Sequence, residues 1–93
     1  LSGREMLKEG EGMLFLFEEP GYPGIWMKDM HFPIDIIWLH DNEVVYIVEN
    51  AQPDNSPDRA VYQTSELANK VLELTTGSVK QHEMQVGNRL LLK

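Results

Sequence analysis

The segment IWMKDMHFPIDIIW, Ile25 to Trp38, constrains this chain more than any other. It holds both tryptophans, and four ionisable groups (Lys28, Asp29, His31 and Asp35) sit inside its apolar run. Pro33 lacks a backbone N–H and disfavours helix on its N-terminal side, so the segment cannot be one helix and reads as two extended stretches meeting near Phe32. In the first, alternation puts Trp26, Lys28 and Met30 on one face and Ile25, Met27 and Asp29 on the other. The second runs from Ile34 to Leu39. HDNE, residues 40–43, follows as a tight turn, because Asp and Asn tolerate left-handed backbone. Val44 to Val48, rich in β-branched residues, then returns antiparallel.

The remaining elements follow from punctuation and spacing. Ser2 stands three residues before Glu5, a capping-box spacing that predicts a short helix over Ser2 to Lys8. Met13 to Phe17 reads as a strand buried on both faces, and EEPGYPG after it as a loop. The polar stretch Asn50 to Glu66 reads as one long loop, of the kind that often carries function. Ala68 to Gly77 fits helix or strand; its β-branched residues and closing glycine favour strand. Ser78 and Gln81 are placed to cap one helical turn, Gly87-Asn88 is a turn, and Arg89 to Lys93 reads as a last strand. Five strands, at most two short helices and many turns make a single all-β domain, a small sandwich or barrel.

Composition narrows the function classes. The 93 residues carry a net charge of −7, unevenly spread. Residues 1–50 hold three basic groups against ten acidic, and residues 51–93 hold five of each. Acidity without a basic stripe argues against nucleic acid as a partner and disfavours anionic membrane surfaces. No apolar run reaches the ~20 residues of a membrane helix, so this segment is not expected to insert in a membrane. The absence of cysteine removes disulfides, thiolate metal sites and a cysteine nucleophile. The start, LSGRE, lacks an initiator methionine, which fits a processed piece whose targeting segment has been removed.

EGEGMLFLF, IWMKDMHFPIDIIWL, VLEL with a glycine three residues later, and VGN together resemble the DUF192 (UPF0127) family over nearly the whole chain. The resemblance implies a compact, jelly-roll-like β domain, often exported or membrane-anchored in bacteria and archaea, without an assigned biochemical activity. Two departures stand out. Asp29 replaces the asparagine usual in the family, and the family's strand upstream of the first helix is missing from this chain. A sheet edge left open that way predicts a homodimer through edge pairing.

Three residues form the leading constellation. Lys28, Asp35 and Glu73 lie in apolar strands, and a buried charge must neutralise, pair or face water. One reading is a polar cluster lining a pocket, with Lys28 holding an anionic group of the ligand. The other, weightier reading is a structural ion pair that sets strand register. A metal site is not expected: His31 and Asp35 are separated by Pro33, His40 and Asp41 read as turn residues, and His82 with Glu83 is remote. No nucleophile elbow or phosphate-cradling glycine loop is present. Tyr22, Trp26, Phe32 and Trp38 could make an aromatic platform for sugar or peptide; of these, Tyr22 and Trp26 are the expected exposed pair and the rest core.

These readings predict a non-catalytic binding or accessory module for a small polar ligand or a protein partner, with Trp26, Lys28, Asp29, Asp35 and Glu73 as ligand-binding residues. No metal or cofactor is expected, and no catalytic residue is assigned. The alternative is a hydrolase acting on a carbohydrate or similar polar substrate through Asp35 or Glu73.

Overall fold

The computed structural model describes residues 12–27, 31–53 and 61–90. The expected helix over residues 2–8 therefore lies outside the described residues, as do Lys28 and Asp29. Six strands and one helical turn follow in order: β1 (Met13–Gly21), β2 (Gly24–Trp26), β3 (Ile34–His40), β4 (Glu43–Ala51), β5 (Val61–Gln63), β6 (Ala68–Thr75) and α1 (Ser78–Gln81). They form a four-stranded sheet, ordered β1-β6-β3-β4, and a two-stranded sheet, β2-β5. Every pairing is antiparallel. The domain is all-β, as its turn-rich, alternating sequence demands.

Strand β3 lies between β6 and β4, and its seven residues explain why. Ile34 to Leu39 are all buried, so β3 is covered on both faces. Ile34, Ile36 and Trp38 pack with Ile25 and Met27 on the side of the small sheet. Ile37 and Leu39 pack with Val44 and with Val79 of α1 on the other. A run without polar alternation is what a strand with two dry faces requires.

The β3–β4 hairpin is closed by Asp41 and Asn42, at φ 50° and 72°. Positive φ at both central residues matches the right-handed twist of the flanking strands. Asn69 Nδ2 donates to Asp41 Oδ1 at 2.9 Å, and Lys70 Nζ donates to Asn42 Oδ1, tying the turn to β6. Two irregularities interrupt the hairpin register, at Ile34/Ile36 and at Trp38/Leu39. Val45 is the unpaired residue of the second, and Asn50, at φ 55°, lies in the first.

Three sequence expectations are corrected. Met13–Phe17 is not buried on both faces, since Leu16 is 69% exposed; among the described residues β1 is an edge strand, and α1 is too short to roof it. The first four residues of EEPGYPG extend β1 rather than forming loop; the pairing with β6 breaks between Leu16 and Gly21, and an edge strand accommodates Pro20 there. The long loop contains β5, because Val61-Tyr62-Gln63 pairs with Gly24–Trp26. Arg89 makes an isolated bridge to Glu43, and residues 91–93 of the expected last strand lie outside the described residues.

Candidate functional site

Asp35 comes from a strand whose neighbours are all apolar, and its carboxylate is fully buried. Both oxygens are engaged. Oδ1 accepts from the Asn50 amide at 2.9 Å, and Oδ2 accepts from the Val79 amide at 2.9 Å. The first bond holds the irregular turn of β4, where Asn50 also takes a bond from Thr76 Oγ1 at 3.1 Å. The second satisfies a first-turn donor of α1, the task of a capping side chain. Ser78 does not cap α1; Gly77 holds the N-cap at φ 92°, and Ser78 Oγ donates to the Thr75 carbonyl at 2.7 Å. Asp35 therefore caps α1 from 44 residues away in sequence.

Glu73 is also fully buried, but it does not meet Asp35. It stands opposite Ile36 on β3 and opposite Met13 on β1, whereas Asp35 stands opposite Leu74. Directly paired residues share a face. Glu73 thus belongs to the Ile36–Trp38 face and Asp35 to the Ile37–Leu39 face, with the sheet between them. The two carboxylates therefore do not converge at one pocket, as the polar-cluster reading would require. Their separation across a sheet also rules out their acting as a carboxylate pair on one glycosidic bond, which needs both groups on one substrate. The pairing of Lys28 with an acid falls outside the described residues.

The aromatic expectation divides as follows. Trp38 is fully buried, and its Nε1 donates to the Pro23 carbonyl at 2.7 Å. Its ring meets Tyr46 edge-on, with centroids 5.5 Å apart. Phe32 is half-buried. Tyr22 and Trp26 are the exposed pair, at 55% and 54%. From β2 into Met27 the alternation holds: Ile25 and Met27 are buried and Trp26 is exposed.

Tyr22 lines a groove at the hairpin end of the large sheet, together with His40, Val45, Ser65, Glu66 and Leu67. The groove encloses about 290 Å³, close to the lower end of small-ligand sites. Its walls are held from behind. The Tyr22 carbonyl accepts from Gln63 Nε2, and the next carbonyl, Pro23, takes the Trp38 indole. The opposite wall is a Thr64 turn, in which Thr64 Oγ1 donates to the Glu66 carbonyl at 2.8 Å and accepts from the Glu66 amide at 3.0 Å. Val45 reaches the groove as the extra residue of its bulge, a device that re-aims a side chain. The lining residues carry an aromatic ring, two aliphatic side chains, a carboxylate, an imidazole and a hydroxyl. His40 Nε2 lies 3.7 Å from Asp41 Oδ2.

Sequence reasoning placed Tyr22 in an exposed aromatic pair and His40 in the turn, and named neither as a ligand-binding residue. It missed Val45, Ser65, Glu66 and Leu67, because a bulge and a Thr-centred turn leave no periodic signal. The one available cue was Leu67, an apolar residue between polar neighbours ahead of a strand. Among the described residues, no group of three or more His, Cys, Asp or Glu side chains is placed to hold a metal. Among them, no helix is long and apolar enough to cross a membrane.

Two solved structures share this fold. A protein of unknown function from Novosphingobium aromaticivorans is 28% identical, with a TM-score of 0.79 over 97% of this chain and 63% of its own. A protein from Sinorhizobium meliloti, provisionally described as a transcription regulator, is 34% identical, with a TM-score of 0.78 over 94% of this chain and 66% of its own. The chain thus spans slightly less than two thirds of each relative's length. Among curated proteins, none matches. The model of DUF192, described as "Uncharacterized ACR, COG1430", matches residues 1–92, and the chain belongs to that family.

Proposed function

We propose that this domain is a non-catalytic binding module whose groove at Tyr22, His40, Val45, Ser65, Glu66 and Leu67 receives a small polar ligand. The observation that carries the reading is a contrast between two sets of residues. The two carboxylates best placed in sequence to act as a base are sealed in the core, Asp35 with both oxygens occupied by backbone amides. Tyr22 and Leu67, by contrast, remain open at 55% and 44%, on backbone that is hydrogen-bonded in place. Exposed apolar side chains beside convergent polar groups on a pre-formed frame are the usual makings of a ligand site. A general base must instead reach its proton within hydrogen-bond distance, and Asp35 is fully buried with a backbone amide on each oxygen. Trp26, on the outer side of β2, extends the exposed aromatic surface available to a partner.

A crystallographic screen with small polar fragments tests the reading. Repeated occupancy of the Tyr22–Leu67 groove is the expected result. Fragments that gather elsewhere, or measurable hydrolysis abolished by Asp35→Asn or Glu73→Gln in a folded protein, would overturn it.

A further inference from the structure

The donor set of the groove selects among polar ligands, and this step rests on the groove being the binding site. Glu66 and His40 line the groove, Asp41 stands beside His40, and the whole chain carries −7. An anionic ligand would meet like charge at Glu66, at Asp41 and in the chain as a whole. A purely apolar ligand would strip water from Glu66, His40 and Ser65 without replacing the hydrogen bonds, which is costly for a carboxylate. A quaternary ammonium ligand is best held by several aromatic faces, and Tyr22 is the one Phe, Tyr or Trp ring among the lining residues. A polyol ring has none of these faults. Its hydroxyls both donate and accept, so they suit a carboxylate, an imidazole and a hydroxyl together. Its C–H face suits the exposed Tyr22 ring and the aliphatic Val45 and Leu67.

We infer that the groove takes a single neutral pyranose ring of a carbohydrate, stacked on Tyr22 and hydrogen-bonded through Glu66 and His40. The volume admits one ring, so the site recognises a monosaccharide or one unit of a longer glycan. No bond is made or broken.

Amide-resolved NMR titration of the 15N-labelled chain tests this, with D-glucose and N-acetyl-D-glucosamine as sugar probes and n-butylammonium as a cationic probe. The expected result is saturable shifts at Tyr22, Val45 and residues 65–67 with at least one sugar, little changed between 20 and 300 mM NaCl. Tyr22→Ala should weaken that sugar at least about tenfold, a loss in keeping with removing an aromatic contact surface, while Tyr22→Phe should retain most of it. The Tyr22 side chain is more than half exposed, so both variants should fold. Saturation by the ammonium probe alone, weakening with salt, overturns the sugar inference and leaves the groove as a binding site. Failure of all three probes to shift groove amides overturns the sugar inference, and fragment occupancy then decides the groove itself.

Discussion

At the scale of single residues, Asp35 matters most. It joins three parts of the fold through two backbone amides. Asparagine has one acceptor oxygen and would turn its NH2 toward the second amide. Asp35→Asn is therefore expected to destabilise the domain by about 2–4 kcal/mol, the cost of leaving one or two buried donors unmet. Urea unfolding monitored by far-UV circular dichroism measures it. A catalytic carboxylate would behave differently, because active-site groups are commonly removed without loss of stability. Trp38→Phe puts a smaller ring in place of the buried indole and deletes the bond to the Pro23 carbonyl. About 2–4 kcal/mol should be lost, and the Tyr22 wall should loosen, visible as altered Tyr22 and Gly24 amide shifts.

Secondary-structure elements add two points. The β3–β4 turn needs positive φ at both Asp41 and Asn42, and its side chains also bind β6. Asn42→Ala removes the Lys70 partner and places a residue ill suited to left-handed backbone there. A loss of about 1–2 kcal/mol is expected, seen as a lower Tm. Strand β1 is the outer strand of the large sheet among the described residues, and exposes Leu16. Glu18, Glu19 and Pro20 follow on the same strand, a charged and donor-poor stretch of the kind that discourages strand addition. Dimerisation through this edge would thus rest on residues 13–16. Leu16→Lys should alter stability by less than about 0.5 kcal/mol; a falling mass in light scattering on this substitution would identify the edge as an interface, and an unchanged mass would exclude it.

Across the whole molecule, both hydrophobic clusters share β3: Ile34, Ile36 and Trp38 serve one, Ile37 and Leu39 the other. Neither can be dismantled without exposing the strand that forms the other. The domain should unfold in one cooperative step, as small single domains usually do. Tryptophan emission and far-UV dichroism should give coincident transitions in guanidinium, with the fluorescence change coming chiefly from Trp38, since Trp26 is already half exposed. Separate midpoints would show that the β2–β5 sheet melts independently.

The sequence by itself determined the all-β class, the hairpin from Ile34 to Val48, the strand at Ala68–Thr75 and the choice of Tyr22 and Trp26 as exposed aromatics. Each was legible because it rests on local physics: side-chain period, β-branching, and the tolerance of Asp and Asn for left-handed turns. Edge or centre was not legible, so Met13–Phe17 read as doubly buried when β1 has one neighbour among the described residues. Nor was the three-residue β5, too short for any period to register. The candidate site divides along the same line. Burial of Asp35 and Glu73 could be read from their apolar neighbours, but the face each occupies depends on strand register, and register depends on contacts between distant segments. The groove was decided wholly by tertiary structure, because a bulge in β4, the tail of β3, a turn before β6 and the link after β1 meet only once the sheet has closed.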